Sequence, residues 1–251
     1  MSKTESPFDG DGDVGFSLSD LRELFRTAFA EGPFGVLIGG QAVNYWAATV
    51  ADPDRLADLR PMTSRDLDFF GGPSEARRLA DRLGIEGRFN DGRDPSPNAA
   101  VLTATLEDGR RVVIDVLTGS LGVSGSELLA TATTVNAVGV DVRVIHPMLL
   151  LESKLTCLRQ LPQGGRQDEK HIRILRHVMT DQMSRLLDQP RSLFRTVERY
   201  FRLLTTPAGR HATSRGVELW AAVPLASMRD DARYAAFFEN RLPQMHRELD
   251  S

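Results

Sequence analysis

Ser64-Arg65-Asp66-Leu67-Asp68-Phe69-Phe70 alternates charged and apolar side chains. A period of two predicts a strand over 65–70, which Gly71-Gly72-Pro73 then stops. Residues two apart on a strand share a face. Asp66 and Asp68 are therefore expected on one side of the sheet, with Leu67 and Phe69 in the core. Arg65 is out of phase with the acids and is expected on the other side. Two neighbouring carboxylates repel unless a cation lies between them. Mg²⁺ suits such a pair, because it takes oxygen ligands and prefers a few carboxylates plus substrate phosphates.

Upstream, 34–38 is a short apolar run and reads as a buried strand. Gly39-Gly40 follows it and opens a helix over 41–49. Glycines there let backbone N–H groups approach a phosphate, and the helix N-terminus adds a favourable dipole. An earlier helix starts near Ser17, with apolar residues at Leu18, Leu21, Leu24, Phe25 and Ala28. Residues 1–16 are rich in Gly, Asp and Ser and read as a mobile tail. Residues 51–62 are polar, carry two prolines and read as a loop inserted before the acids.

Downstream, 74–83 is an amphipathic helix and 84–99 reads as an exposed loop. Strands over 101–106 and 111–117 flank Asp108-Gly109, a hairpin signal. Asp115 stands alone among apolar residues on the second of these. An acid there is costly unless paired or bound to a metal. A second hairpin is expected over 131–138 and 140–145. From Pro147 the pattern turns helical, with helices over 147–163, 167–180, 182–188, 191–204 and 228–240. The fold class is thus an α/β (α+β) unit with a mixed sheet over 17–146, followed by an all-helical domain over 147–251.

Composition narrows the classes. The chain has 251 residues, 41% hydrophobic and 26% charged, enough apolar content to exclude disorder over most of its length. A net charge of −3 excludes a uniformly basic nucleic-acid binder. The single cysteine, Cys157, excludes an internal disulfide and a cysteine-built metal site. No apolar run reaches the length of a membrane span and the N-terminus lacks a secretion pattern, so a cytoplasmic protein is expected. Asp9 to Asp13 imitates a calcium loop, but Val14 and Asp20 stand where Gly and Glu are needed. The five histidines share no metal-ligand spacing and are expected on the surface or at helix ends. Cys157, Tyr45 and Trp46 read as core residues. Arginines crowd the C-terminal half, either as solvated helix faces or as a groove for RNA or another polyanion.

Together, Ile38-Gly39-Gly40, Asp66-Leu67-Asp68 and Asp115 resemble the polymerase-beta-like nucleotidyltransferase superfamily. Gly39-Gly40-Gln41-Ala42 and Ser64-Arg65-Asp66-Leu67-Asp68-Phe69 resemble its abortive-infection (AbiEii-type) and toxin–antitoxin branch most. Lys154, then Arg166 and Asp168, fit that branch's downstream lysine and acid loosely. The resemblance covers 34–117 well and 147–175 weakly.

It implies Mg²⁺-dependent transfer of a nucleoside monophosphate from an NTP, with two metal ions held by Asp66, Asp68 and Asp115 as the catalytic acids. Gly39, Gly40, Ser64 and Lys154 would hold the triphosphate. The implied acceptor is a macromolecule, tRNA or a protein hydroxyl, and an antitoxin is an implied partner. The alternatives are an antibiotic-type transferase acting on a small molecule, and a non-catalytic protein that keeps the fold.

Overall fold

The computed structural model describes residues 15–32, 34–49, 53–91, 96–137 and 139–250. It is α+β. Seven strands form one mixed sheet: β1 (Val36–Ile38), β2 (Asp66–Phe70), β3 (Gly87–Phe89), β4 (Asn98–Thr105), β5 (Arg111–Leu117), β6 (Thr133–Ala137) and β7 (Val140–Val144). Their order is β3-β4-β5-β2-β1-β7-β6. β2 lies at the centre, antiparallel to β1 and parallel to β5. Leu67, Phe69, Val112, Ile114 and Val116 are buried on one face of this pair, as the period of two demands.

Helices α1 (Arg22–Phe29) and α3 (Pro73–Leu83) pack together, and α1 also lies against β7. The helix α2 (Gly39–Ala48) continues directly from β1. Beyond α4 (Gly125–Thr131) and the second hairpin, the chain is helical: α5 (Pro147–Gln160), α6 (Asp168–Ser184), α7 (Pro190–Leu204), α8 (Pro207–Ser214), α9 (Leu225–Arg229) and α10 (Leu242–Asp250). α5 and α6 pack against each other and against α2. One continuous apolar cluster joins Leu67 and Phe69 of the sheet to Leu155, Ile172 and Val197 of the helices. Tyr45 and Trp46 lie in that core, with Trp46 Nε1 donating to the Ile145 carbonyl at 2.8 Å. No helix among the described residues is long and apolar enough to cross a membrane.

Several boundaries differ from the sequence reading. Of the expected tail, 1–14 lie outside the described residues, but Phe16 is buried and pairs backbone to backbone with Ser64. Ser17 then closes the turn into α1, exchanging hydrogen bonds with the Asp20 carboxylate and amide. The expected loop 51–62 contains a 3₁₀ helix, Pro53–Leu59, anchored by buried Leu56. The expected loop 84–99 supplies β3 and the start of β4, because Gly87 and Phe89 find partners across the sheet edge. α2 begins two residues early, at Gly39, whose φ of +67° only glycine adopts readily. Thr131 ends α4 instead of starting a strand. The expected helix over 182–188 is the end of α6 and the turns after it. The expected helix over 228–240 breaks into short turns around Asp230 and Asp231. The sequence reading passed over α8 and α10, which are short, at 8 and 9 residues.

Candidate functional site

Register brings the acids together. Asp68 on β2 stands directly opposite Asp115 on β5, with Ile38 on its other side. Asp66 lies one pleat away on the same face. One carboxylate oxygen from each of Asp66, Asp68 and Asp115 falls within 4.8 Å of the others. Asp115 is half-buried on this face and not enclosed by the sheet, because neighbouring Ile114 and Val116 take the core side. Asn98 Nδ2 donates to its Oδ1 at 3.1 Å, a partner the sequence did not reveal. Ser64 Oγ donates to Asp66 Oδ1 at 3.2 Å.

Burial comes first among the causes that push the Asp68 carboxyl up to about 8, then Asp66; Lys154 and Arg166 pull the other way. Burial, then Asp66, also raises Asp115. The site therefore carries more negative charge than it can easily keep ionised. A donor set of three clustered carboxylates fits a hard divalent cation such as Mg²⁺.

Gly39 and Gly40 begin α2 at the edge of this cluster. A Cβ on Gly39 would strike the Asp68 carboxylate, and one on Gly40 would strike Ser64 Oγ. Only glycine allows the backbone this close. The first amides of a helix lack intrahelical acceptors, and here Gly39 and Gly40 line the cavity that holds the acids.

That cavity has a volume of about 840 Å³ and takes in every candidate residue: Gly39, Gly40, Ser64, Asp66, Asp68, Asp115 and Lys154. Lys154 reaches it from α5. Its Nζ donates to Asp168 Oδ1 at 3.1 Å, and Arg166 Nε donates to Asp168 Oδ2 at 2.6 Å. The Asp168 side chain is 1% exposed. Burial raises its carboxyl, but Lys154 and Arg166 outweigh that and hold it below the usual carboxylate range. Two cations around one acid leave the cluster with a net positive charge facing the three aspartates. Arg65, expected on the opposite face, lines the same cavity. It precedes the first paired residue of β2, so the strand's alternation does not bind it. Cys157, buried as expected, lines the cavity too.

His171 is the residue sequence reasoning missed. It stands in the first turn of α6, one of the two placements expected, but it is 5% exposed and lines the cavity beside Gly40. Neither ring nitrogen has a hydrogen-bond partner. Burial, then Lys154, pushes its pKa down to about 3, so the ring is neutral. The signal was present: His171 falls in phase with Ile174, Leu175 and Val178 on the buried face of α6. A buried polar atom without a partner costs about 1–3 kcal/mol. His171→Leu is therefore expected to raise the unfolding free energy by about 1–2 kcal/mol, measured by urea titration. A fall instead would mean that the ring has a partner in solution.

Several other arginines of the C-terminal half are paired with acids. Arg173 and Arg215 share Glu169, Arg199 meets Glu127 and Arg241 meets Glu198.

No protein-family model matches this chain, and no curated protein matches it. Its outline is similar to the crystal structure of JHP933 from Helicobacter pylori. The two are 15% identical, with a TM-score of 0.41 over 88% of this chain and 96% of that one. A likeness this distant carries no argument about the site, which rests on its own geometry.

Proposed function

We propose that this chain is a Mg²⁺-dependent nucleotidyltransferase that moves a nucleoside monophosphate from an NTP to a hydroxyl acceptor. One observation carries the reading. Three carboxylates on adjacent strands converge within 4.8 Å, in a cavity that also presents the glycine-opened start of α2 and a buried lysine.

Asp66, Asp68 and Asp115 would hold the cation, which would supply positive charge against phosphate oxygens and acidify the acceptor hydroxyl. In the transfer, the acceptor oxygen forms a bond to the α-phosphorus. The bond from that phosphorus to the β-phosphate oxygen breaks, and pyrophosphate leaves with the electron pair. Asp115 takes the hydroxyl proton. Its raised carboxyl suits a proton acceptor, and Asn98 fixes one of its oxygens. The amides of Gly39 and Gly40 and the Ser64 hydroxyl would bind the outer phosphates. Lys154, with the net charge of its cluster, would neutralise them. Such chemistry is mostly positioning plus charge neutralisation.

A macromolecular acceptor, tRNA or a protein hydroxyl, is favoured over a cationic small molecule. The rim carries Arg65 and Arg166, which would repel a polyamine-like acceptor. A toxin-like role with an antitoxin partner belongs to the same reading.

The test is a transfer assay. Purified protein is incubated with Mg²⁺, each α-labelled NTP in turn, and a lysate containing RNA and protein. Label on an RNA or protein band is the expected result. No labelled product with any NTP, together with no Mg²⁺-dependent NTP binding, would overturn the reading.

A further inference from the structure

The catalytic cavity is chemically two-sided. Beside its acids and cations it carries apolar wall: Pro97, Leu117, Leu121 and Leu161 line it as well. Leu121 and Leu161 are 40% and 37% exposed. Among the described residues only one other large apolar side chain is so exposed, Leu129, and it stands outside this cavity. Scattered apolar exposure is ordinary. Two of three such side chains in one cleft is a placement to explain.

Local structure fixes where this wall stands. Ser153, Cys157 and Leu161 recur every four residues and so run along one side of α5 and its C-cap. The segment after β5 lies on the same side. Ser120 Oγ and Ser153 Oγ are 3.1 Å apart, and a Cβ on Gly122 would strike Thr156. Gly122, at φ +79°, lets the turn hug the helix. Leu121, between these two anchors, is thus held beside the helix over residues 153–156, level with Lys154. Leu161 lies about 10 Å past Lys154 along the axis, at a rise of 1.5 Å per residue. The start of α2, Lys154 and these apolar residues line one cavity, so a nucleotide whose phosphates meet Lys154 and α2 has this apolar surface within the same cavity for its ribose and base.

We infer that Leu121, Cys157 and Leu161 form the wall against which the nucleobase lies. The inference rests on the nucleotidyl-transfer reading and adds the residues that seat the base. Every base has a flat, weakly hydrated face, and stacking on an apolar surface tolerates any of them. Burying the leucines under a base removes apolar area from water that nothing in the described chain covers.

The test separates base from phosphate. Wild type, Leu121→Ala/Leu161→Ala and a Leu129→Ala control are titrated, with Mg²⁺, against α,β-methylene NTP analogues and against inorganic tripolyphosphate. Thermal melts check the folds, which exposed leucines should not disturb. The double variant is expected to bind the nucleotide analogues about tenfold more weakly, a change of about 1.4 kcal/mol. Its tripolyphosphate affinity and both affinities of the Leu129→Ala control should stay at the wild-type level. Unchanged nucleotide affinity, or an equal loss for tripolyphosphate, would overturn the wall. Wild type binding tripolyphosphate as tightly as nucleotides would overturn the wall and leave the phosphate end standing. Wild type binding neither would overturn the transferase reading together with it.

Discussion

Alanine in place of Asp66 or Asp115 is expected to cut nucleotidyl transfer by about a thousandfold, equivalent to about 4 kcal/mol of transition-state stabilisation. Each substitution removes one of three converging carboxylates, and Asp115→Ala also removes the proposed proton acceptor. Loss of fold is not the cause to expect, because each change relieves repulsion among clustered acids. The measurement is initial rate at saturating NTP, with urea unfolding of each variant beside it. Near-wild-type rates in either variant would sink the assignment of that acid. Asp68 adds a sign. Its carboxyl is pushed up to about 8, above its unfolded value near 4. Its contribution to stability is therefore full below about pH 4. That contribution is lost as pH rises through the folded value. Without divalent metal, the stability difference between Asp68→Asn and wild type should grow across that window, by up to about 1.4 kcal/mol per pH unit. Saturating Mg²⁺ should shrink the difference, because the cation favours the ionised carboxylates of the wild type.

The second large effect concerns Asp168. Asp168→Ala leaves Lys154 buried, with its acid gone, and is expected to cost about 3–5 kcal/mol in urea unfolding. Lys154 is 8% exposed, so water cannot easily replace the lost carboxylate. Replacing both partners with apolar side chains, Lys154→Met with Asp168→Leu, should recover most of that stability, because a buried ion pair contributes little net. Transfer should nevertheless be lost in the double variant, because the lysine proposed to meet the phosphates is gone although the net charge of the cluster is unchanged. Asp168 also sets an acid limit. Its carboxyl is held below the usual range. The stability it brings is therefore present above about pH 4 and is lost as pH falls through its folded value. An additive loss in the double variant would show that the pair has no special coupling.

Much of this was legible along the chain because the period of a strand and the chemistry of a carboxylate are local facts. Alternation over 65–70 placed Asp66 and Asp68 on one face, and the glycines after Ile38 marked the close approach. Asp115 was legible as an acid out of place, although its enclosure was overstated, since only half of a strand's residues face the core. Arg65 was misplaced by extending alternation one residue past the paired segment. His171 and Asn98 escaped because their significance lies in what other elements bring near them. The polar 51–62 segment looked like a loop because a short 3₁₀ turn with one buried leucine has almost no period to detect. The transferase chemistry, the metal and the acceptor remain a proposal from the site.

The pairing of β2 with β5 also matters before the protein is complete. β1 and β2 are close in the chain and can pair as soon as both are made. The other edge of β2 must wait for residues 111–117 to leave the ribosome. An open edge of Asp-Leu-Asp-Phe-Phe would invite another nascent chain to add a strand, were it apolar throughout. Charged side chains on an exposed edge discourage that pairing. Asp66 and Asp68 thus guard an unfinished sheet during synthesis, the same two residues that converge with Asp115 in the finished cavity.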